Sequence, residues 1–260
     1  MERRVFRIDL GYDGTDFAGS QVQPGVRTVQ GVLEEALARL TGEPARLALA
    51  GRTDRGVHAV GQVASGTLRW ERPAAALLAG LRALTPPDVA IYRVALAPAS
   101  FHARFDAVAR EYRYRVWSGG TPPLLLRRLV WHQRRALDLE AMGRAAEALP
   151  GEQDFAAVAG GGAGVPWAEI DTTRRVNSAR WVVLQQSIEP GEGARLLEFR
   201  IVASGYLPQM VRNIVGDLVQ IGRGERQVAW MAELLRGRDR RLGAAPAPPE
   251  GLALWHVSYT

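Results

Sequence analysis

Residues 5–12, VFRIDLGY, place Phe6, Ile8, Leu10 and Tyr12 on one face and Arg7 and Asp9 on the other. A period of two predicts a half-buried strand. Beyond the loop DGTDFAGSQVQPGVR the period changes. Val29, Val32, Leu33, Ala36, Leu37 and Leu40 recur at helical spacing, behind Thr28 as a capping hydroxyl and ahead of Gly42 as a stop. Short strands are expected at 45–50 and 59–66, a helix near 73–84 and a strand near 88–96. VAREYRYRVW, residues 108–117, alternates again: Arg110, Tyr112, Tyr114 and Val116 share one side, and Glu111, Arg113 and Arg115 the other.

A connection rich in Gly, Pro and Arg covers 119–135 and leads to a helix at 138–149. VNSARWVVLQQ and ARLLEFRIVAS read as paired strands. YLPQMVRNIVGDLVQIG has helical spacing with Pro208 in its first turn, and a further helix follows at 226–236 before the closing strand LALWHVSY. Both halves run strand, helix, strand. The expected fold is therefore α+β: two α/β lobes, 1–104 and 105–260, on mostly antiparallel sheets with helices packed on one side and a cleft between the lobes.

Composition narrows the chemistry. With 260 residues the chain can bury a core without staples, and the absence of cysteine excludes disulfides, thiolate nucleophiles and Cys-based zinc sites. The four histidines are scattered without metal-ligand spacing, so no metal is expected. The start, MERRVFRIDLGYDG, passes from charge straight into alternation, and no stretch is apolar enough for a membrane span, which points to a cytoplasmic protein. All 33 basic residues are arginine and the net charge is +6. Guanidinium binds phosphate bidentately and stacks on bases, although GC-rich coding produces the same bias.

GRTDRGVH, residues 51–58, sets Asp54 between Arg52 and Arg55 among glycines. An Asp-x-Gly turn is ordinary backbone chemistry. Arginine on both sides is not, because exposed ion pairs gain little and adjacent guanidiniums repel. A buried or phosphate-facing site resolves the conflict. There the guanidiniums favour the carboxylate anion, suiting it to act as nucleophile or electrostatic stabiliser, and one arginine can replace an everted base in a nucleic-acid stack.

GRTDRGVHA resembles the signature of the TruA family of tRNA pseudouridine synthases. Similar segments follow family order at LGYDGTDFAG (10–19), FHARFDAVAREYRYRV (101–116), MVRNIVGDLVQIG (210–222) and EGLALWHVSY (250–259). The resemblance implies cofactor-free isomerisation of uridine to pseudouridine in the tRNA anticodon stem-loop, at roughly positions 38 to 40, by a homodimer. It assigns Asp54 the chemistry and Arg52 the assistance of base extrusion. By the same resemblance Tyr112 would pack on the flipped base and be a candidate for removing the C5 proton, Arg212 would pair with Asp54, and Leu252 would line the uracil pocket. Three departures stand out: Ser20 where family members usually carry tryptophan, Pro208 where a non-proline is common, and the glycine-rich EQDFAAVAGGGAG.

Each assignment has a plainer counterpart: half-buried core for Tyr112, a solvated helix arginine for Arg212, strand core for Leu252. Arg104, Arg110 and Arg113 flank the tyrosine strand and suit phosphates or a solvated face, phosphate being favoured. Among other functions, a non-catalytic RNA-binding module using the same Arg/Tyr surface leaves Asp54 without a task. A glycosidase-like hydrolase needs a second carboxylate about 5–9 Å away. Asp13 and Asp16, the nearest candidates, read as turn formers.

Overall fold

The computed structural model describes residues 2–161, 170–185 and 193–260. In chain order its elements are β1 (Arg3–Tyr12), α1 (Val29–Thr41), β2 (Ala48–Leu49), β3 (His58–Arg69), α2 (Ala74–Leu84), β4 (Val89–Leu96), β5 (Ala107–Ser118), β6 (Trp131–Gln133), α3 (Leu139–Ala146), β7 (Gly151–Asp154), β8 (Thr173–Leu184), β9 (Arg195–Ala203), α4 (Met210–Gly222), α5 (Trp230–Gly237) and β10 (Leu252–Tyr259). The fold is α+β with mostly antiparallel pairing, as the periodicities predict. Two compact units form: Met1–Arg110 with Ala253–Thr260, and Glu111–Leu252. None of the described helices is long and apolar enough to cross a membrane.

In the first unit the strand order is β4-β1-β3-β10, with β2 also on β3. β1 pairs antiparallel with β3 from Arg3↔Arg69 to Tyr12↔Ala59, and with β4 on its other edge. The apolar face anticipated for β1 is buried: Phe6, Ile8, Leu10 and Tyr12 are each at most 5% exposed. Thr28 caps α1 by accepting from Gly31 N at 3.3 Å, and Gly42 ends it at φ 76°. The expected strand at 45–50 shrinks to β2, in which Ala48 and Leu49 pair with Ser65 and Ala64, and Ala50 N adds one further bond to Val63 O at 2.8 Å. β10 lies parallel to β3, with Ala253 opposite His58 and Leu254 opposite Ala59.

In the second unit the order is β5-β9-β8-β7, with β6 parallel to β5. Alternation on β5 is real: Tyr112, Tyr114 and Val116 are buried and Arg113 and Arg115 are not. α4 begins at Met210 rather than around Pro208. Gln209 adopts φ 54°, outside the helical region, so Pro208 lies before the helix, where its carbonyl accepts from Gly160 N at 2.7 Å. α5 starts at Trp230, four residues later than its pattern predicts. Of the glycine-rich segment 152–164, residues 162–164 lie outside the described residues, as does Gln186 at the end of the VNSARWVVLQQ strand.

α4 is buried nearly all round and includes Asn213 and Asp217. Asp217 Oδ1 accepts from Trp230 Nε1 at 3.1 Å and Ala244 N at 2.9 Å, while its Oδ2 is a buried oxygen without a hydrogen-bond partner. Burial pushes this carboxyl above the ordinary carboxylate range. A raised acid favours the fold below its unfolded pKa, about 3.9, and loses that contribution as pH climbs through the folded value. Wild type should therefore lose stability relative to Asp217→Asn on going from about pH 3 to about pH 7. Urea midpoints of the two proteins at both pH values test the sign.

Candidate active site

The Asp54 loop joins β2 to β3 and rests on a buried polar floor within the first unit. Val57 N donates to Asp54 O at 3.1 Å and Gly56 sits at φ 77°, so Asp54 opens a turn with glycine at its third position. Arg52, Asp54 and Arg55 are exposed, whereas Thr53 and Val57 point inward. Of the two resolutions the sequence offered, burial is excluded and a phosphate-facing loop is left. Thr53 is held twice: its N donates to Ser20 Oγ at 2.8 Å, and its carbonyl accepts from Ser20 N at 3.0 Å.

Gln62, fully buried on β3, brackets Gly51 by donating to its carbonyl at 2.8 Å and accepting from its N at 3.3 Å. The Gln62 amide also donates to Tyr12 Oη at 3.3 Å, and that hydroxyl shares a 2.8 Å bond with Thr53 Oγ1. Burial raises the Tyr12 pKa, which keeps the phenol neutral. Buried polar groups that satisfy one another in this way fix a single geometry. The backbone on either side of Arg52 is therefore rigid, and Asp54 inherits that rigidity.

The LGYDGTDFAG block packs against the same loop at separations only glycine permits. A Cβ on Gly14 would stand 2.0 Å from Val57 O, and Gly19 combines φ 109° with a Cβ position 3.0 Å from Thr53 O. Gly14 N donates to His58 Nδ1 at 3.0 Å, giving that histidine a structural task. Asp13 accepts from Thr15 N at 3.0 Å, as a turn former should. Ser20 is fully buried, so in this chain the departure from tryptophan supplies a hydroxyl that anchors Thr53.

Arg110 braces the loop from the other side. Its Nε and one terminal nitrogen donate to Ala50 O at 3.1 and 3.0 Å, and further bonds reach the carbonyls of Ala107 and Arg104. Arg104 itself is exposed. Arg52, Asp54, Arg104 and Arg110 thus belong to one unit, joined through Ala50 and Arg110.

Tyr112, Arg212 and Leu252 belong to the other unit. Tyr112 is 7% exposed and meets the Tyr206 ring edge-on at 4.9 Å. Arg212, in the first turn of α4, donates from Nε to Ala247 O at 2.7 Å and accepts from Ala247 N at 2.9 Å. Ala247 opens the segment that ends in Leu252, which is 6% exposed. Tyr114 fastens the same segment by donating to Pro248 O at 2.8 Å and packing on Gly251, whose Cβ would lie 2.6 Å from the ring. Burial, followed by the Glu250 charge, holds the Tyr114 hydroxyl well above its ordinary pKa. Among the described residues, no group of three or more His, Asp or Glu side chains is placed to hold a metal ion.

The model of a family described as tRNA pseudouridine synthase matches residues 11–106 and 145–260. The chain belongs to that family. The Asp54 loop falls in the first matched segment of this pseudouridine synthase family member, and Arg212 and Leu252 in the second, with Tyr112 between them. Whole-length relatives bridge the gap. A protein named tRNA pseudouridine synthase A from Chloroflexus aurantiacus is 43% identical, covering 98% of this chain and 89% of its own length. Proteins of the same name from Solidesulfovibrio magneticus and Klebsiella pneumoniae are 44% and 40% identical, covering 97% and 100% of this chain and 90% and 92% of theirs.

The sequence pattern marks Ser20 only as a departure from the family, and it gives Gln62 and Tyr12 no part in the site. The available signal was Gln62, a polar residue within an otherwise apolar stretch of β3.

Proposed function

We propose that this protein converts uridine to pseudouridine in tRNA, at roughly positions 38 to 40 of the anticodon stem-loop, as a cytoplasmic homodimer needing neither metal nor cofactor. Family membership supports the reaction class. The observation that carries the site is the exposed Asp54 on a loop clamped through Gly51, Thr53 and Ala50, with exposed Arg52 and Arg55 beside it. A module that only bound RNA would have no use for a rigidly presented carboxylate among its arginines, since an anion repels phosphate.

In this reading Arg52 enters the space left by the everted uridine and Asp54 meets the ribose. The bond from C1′ to N1 breaks, the uracil turns, and C1′ joins C5; C5 then gives up its proton and N1 gains one. Asp54 supports cleavage either by adding to C1′ or by driving loss of the C2′ proton, and both routes need the anion. Tyr112 packs on the base and serves removal of the C5 proton, Arg212 pairs with Asp54, and Leu252 lines the uracil pocket. Arg104 and Arg110 contact the substrate's phosphates, and Arg110 also braces the Asp54 loop.

Incubating tRNA carrying tritium at uracil C5 should release the label, and the product positions should map to the anticodon arm. Failure to release tritium sinks the reading. Affinity should fall with salt by a log–log slope of about −0.7 to −0.9 per phosphate neutralised, and a flat response would remove the arginine surface. Sedimentation at micromolar concentration tests the dimer.

A further inference from the structure

Between β4 and β5, residues Phe101–Asp106 form a cross-braced turn in the first unit. His102 N donates to Asp106 Oδ2 at 2.9 Å, and Asp106 N returns a bond to His102 O at 3.1 Å. His102 Nδ1 accepts from Arg104 N at 3.2 Å and Phe105 N at 3.3 Å. Ala103 is buried and pinned through both backbone groups, its N to Ser65 Oγ at 2.9 Å and its carbonyl to Tyr259 Oη at 2.7 Å. From this rigid base Phe105 projects with 75% of its surface exposed.

One face of the Phe105 ring lies on the His102 imidazole, with centroids 4.3 Å apart and planes inclined by 30°. The Arg104 guanidinium carbon stands 5.7 Å from the ring centroid. With His102 stacked on the ring and the Arg104 guanidinium over it at a distance, three quarters of the residue still meets solvent. A loosely held phenylalanine would fold back onto apolar surface, since exposing it costs free energy. Here the hydrogen bonds of the turn fix the backbone from which the ring projects, and the His102 imidazole stacks on it. A π surface presented from a braced turn, beside a guanidinium, suits a nucleobase: every base can stack on it, and a ring whose backbone is already fixed loses less entropy in doing so.

The turn is also tied to the candidate catalytic loop. A single terminal nitrogen of Arg110 donates to both Arg104 O and Ala50 O. We infer that Phe105, backed by His102 and flanked by Arg104, is a stacking platform for an unpaired nucleobase near the target uridine. This rests on the RNA reading above and adds to it the class of substrate group that the turn holds. Arg104 takes the phosphate of the stacked nucleotide.

The test uses the full-length protein and an anticodon-arm RNA carrying 2-aminopurine at successive loop positions. Wild type should quench the probe at one position on binding, and Phe105→Ser should abolish that quench and raise KM roughly tenfold with kcat changed by less than about twofold. Phe105→Tyr should restore both, whereas Phe105→Leu, which keeps apolar bulk without a π face, should not. Wild-type KM and quench in Phe105→Ser would overturn the platform. So would a changed sedimentation of the RNA-free variant, which would assign the ring to a protein interface. Asp54→Asn separates the two ideas: it should keep the quench without turnover, and turnover by that variant would remove the catalytic reading while leaving the stacking signal intact.

Discussion

Replacing Asp54 with asparagine should lower pseudouridine formation by about 10³-fold or more while changing tRNA affinity by no more than about fivefold. The amide matches the carboxylate in shape but cannot carry its charge, so only a step that needs the anion is lost. The loop itself should survive, because its main anchors run through backbone and neighbouring side chains: Gly51 to Gln62, Thr53 to Ser20, and Val57 N to Asp54 O. An unchanged melting temperature would confirm that the comparison is clean. Single-turnover tritium release and filter binding measure the two arms, and turnover within tenfold of wild type would dismiss the carboxylate. Gln62→Leu offers the complementary case. It leaves the carboxylate in place but frees Gly51, and so should lower kcat by a smaller factor.

The two halves of that argument differ in how far they could be read from sequence. Asp54, Arg52 and Arg55 stand together in one short motif, and the β1 and β5 alternation and the Thr28 and Gly42 caps are local patterns that the structure reproduces. The floor beneath the loop is different in kind. Ser20, Tyr12 and Gln62 converge on Thr53 and Gly51 from up to 50 residues apart, and a polar residue in a strand is read as outward-facing until its partner is seen. Arg110 hides its packing in the same way. On an alternating strand it reads as a phosphate ligand, and its bonds to the carbonyls of Ala50 and Ala107 come from positions that no local pattern links to it. The parallel docking of β10 on β3 depends on a pairing that no local period encodes. Pro208 failed as a helix marker because Gln209 takes a left-handed conformation that composition does not announce.

The second large effect concerns stability, and it follows from the face of β5 opposite the tyrosines. Glu198 on β9 is fully buried, accepting from Arg115 Nε at 2.9 Å, Arg200 Nε at 2.8 Å and Arg113 Nη1 at 3.4 Å. Arg113 has a second acid, Glu111, at 2.7 Å; Arg115 and Arg200 meet at Glu198. Glu198→Gln keeps the volume and an acceptor but strips the countercharge from guanidiniums that are only partly hydrated. The expected loss is about 2–4 kcal/mol, below the range for fully buried pairs because the arginines retain some water. Arg46→Ala is the contrasting case. Its side chain is 84% exposed and meets Glu34 at 3.2 Å, so the loss should stay below about 1 kcal/mol. Equal shifts in urea midpoint for the two variants would refute the distinction. A large shift for Glu198→Gln alone would show that this buried acid stabilises the pairing of β9 with the arginine face of β5, the strand that presents Tyr112.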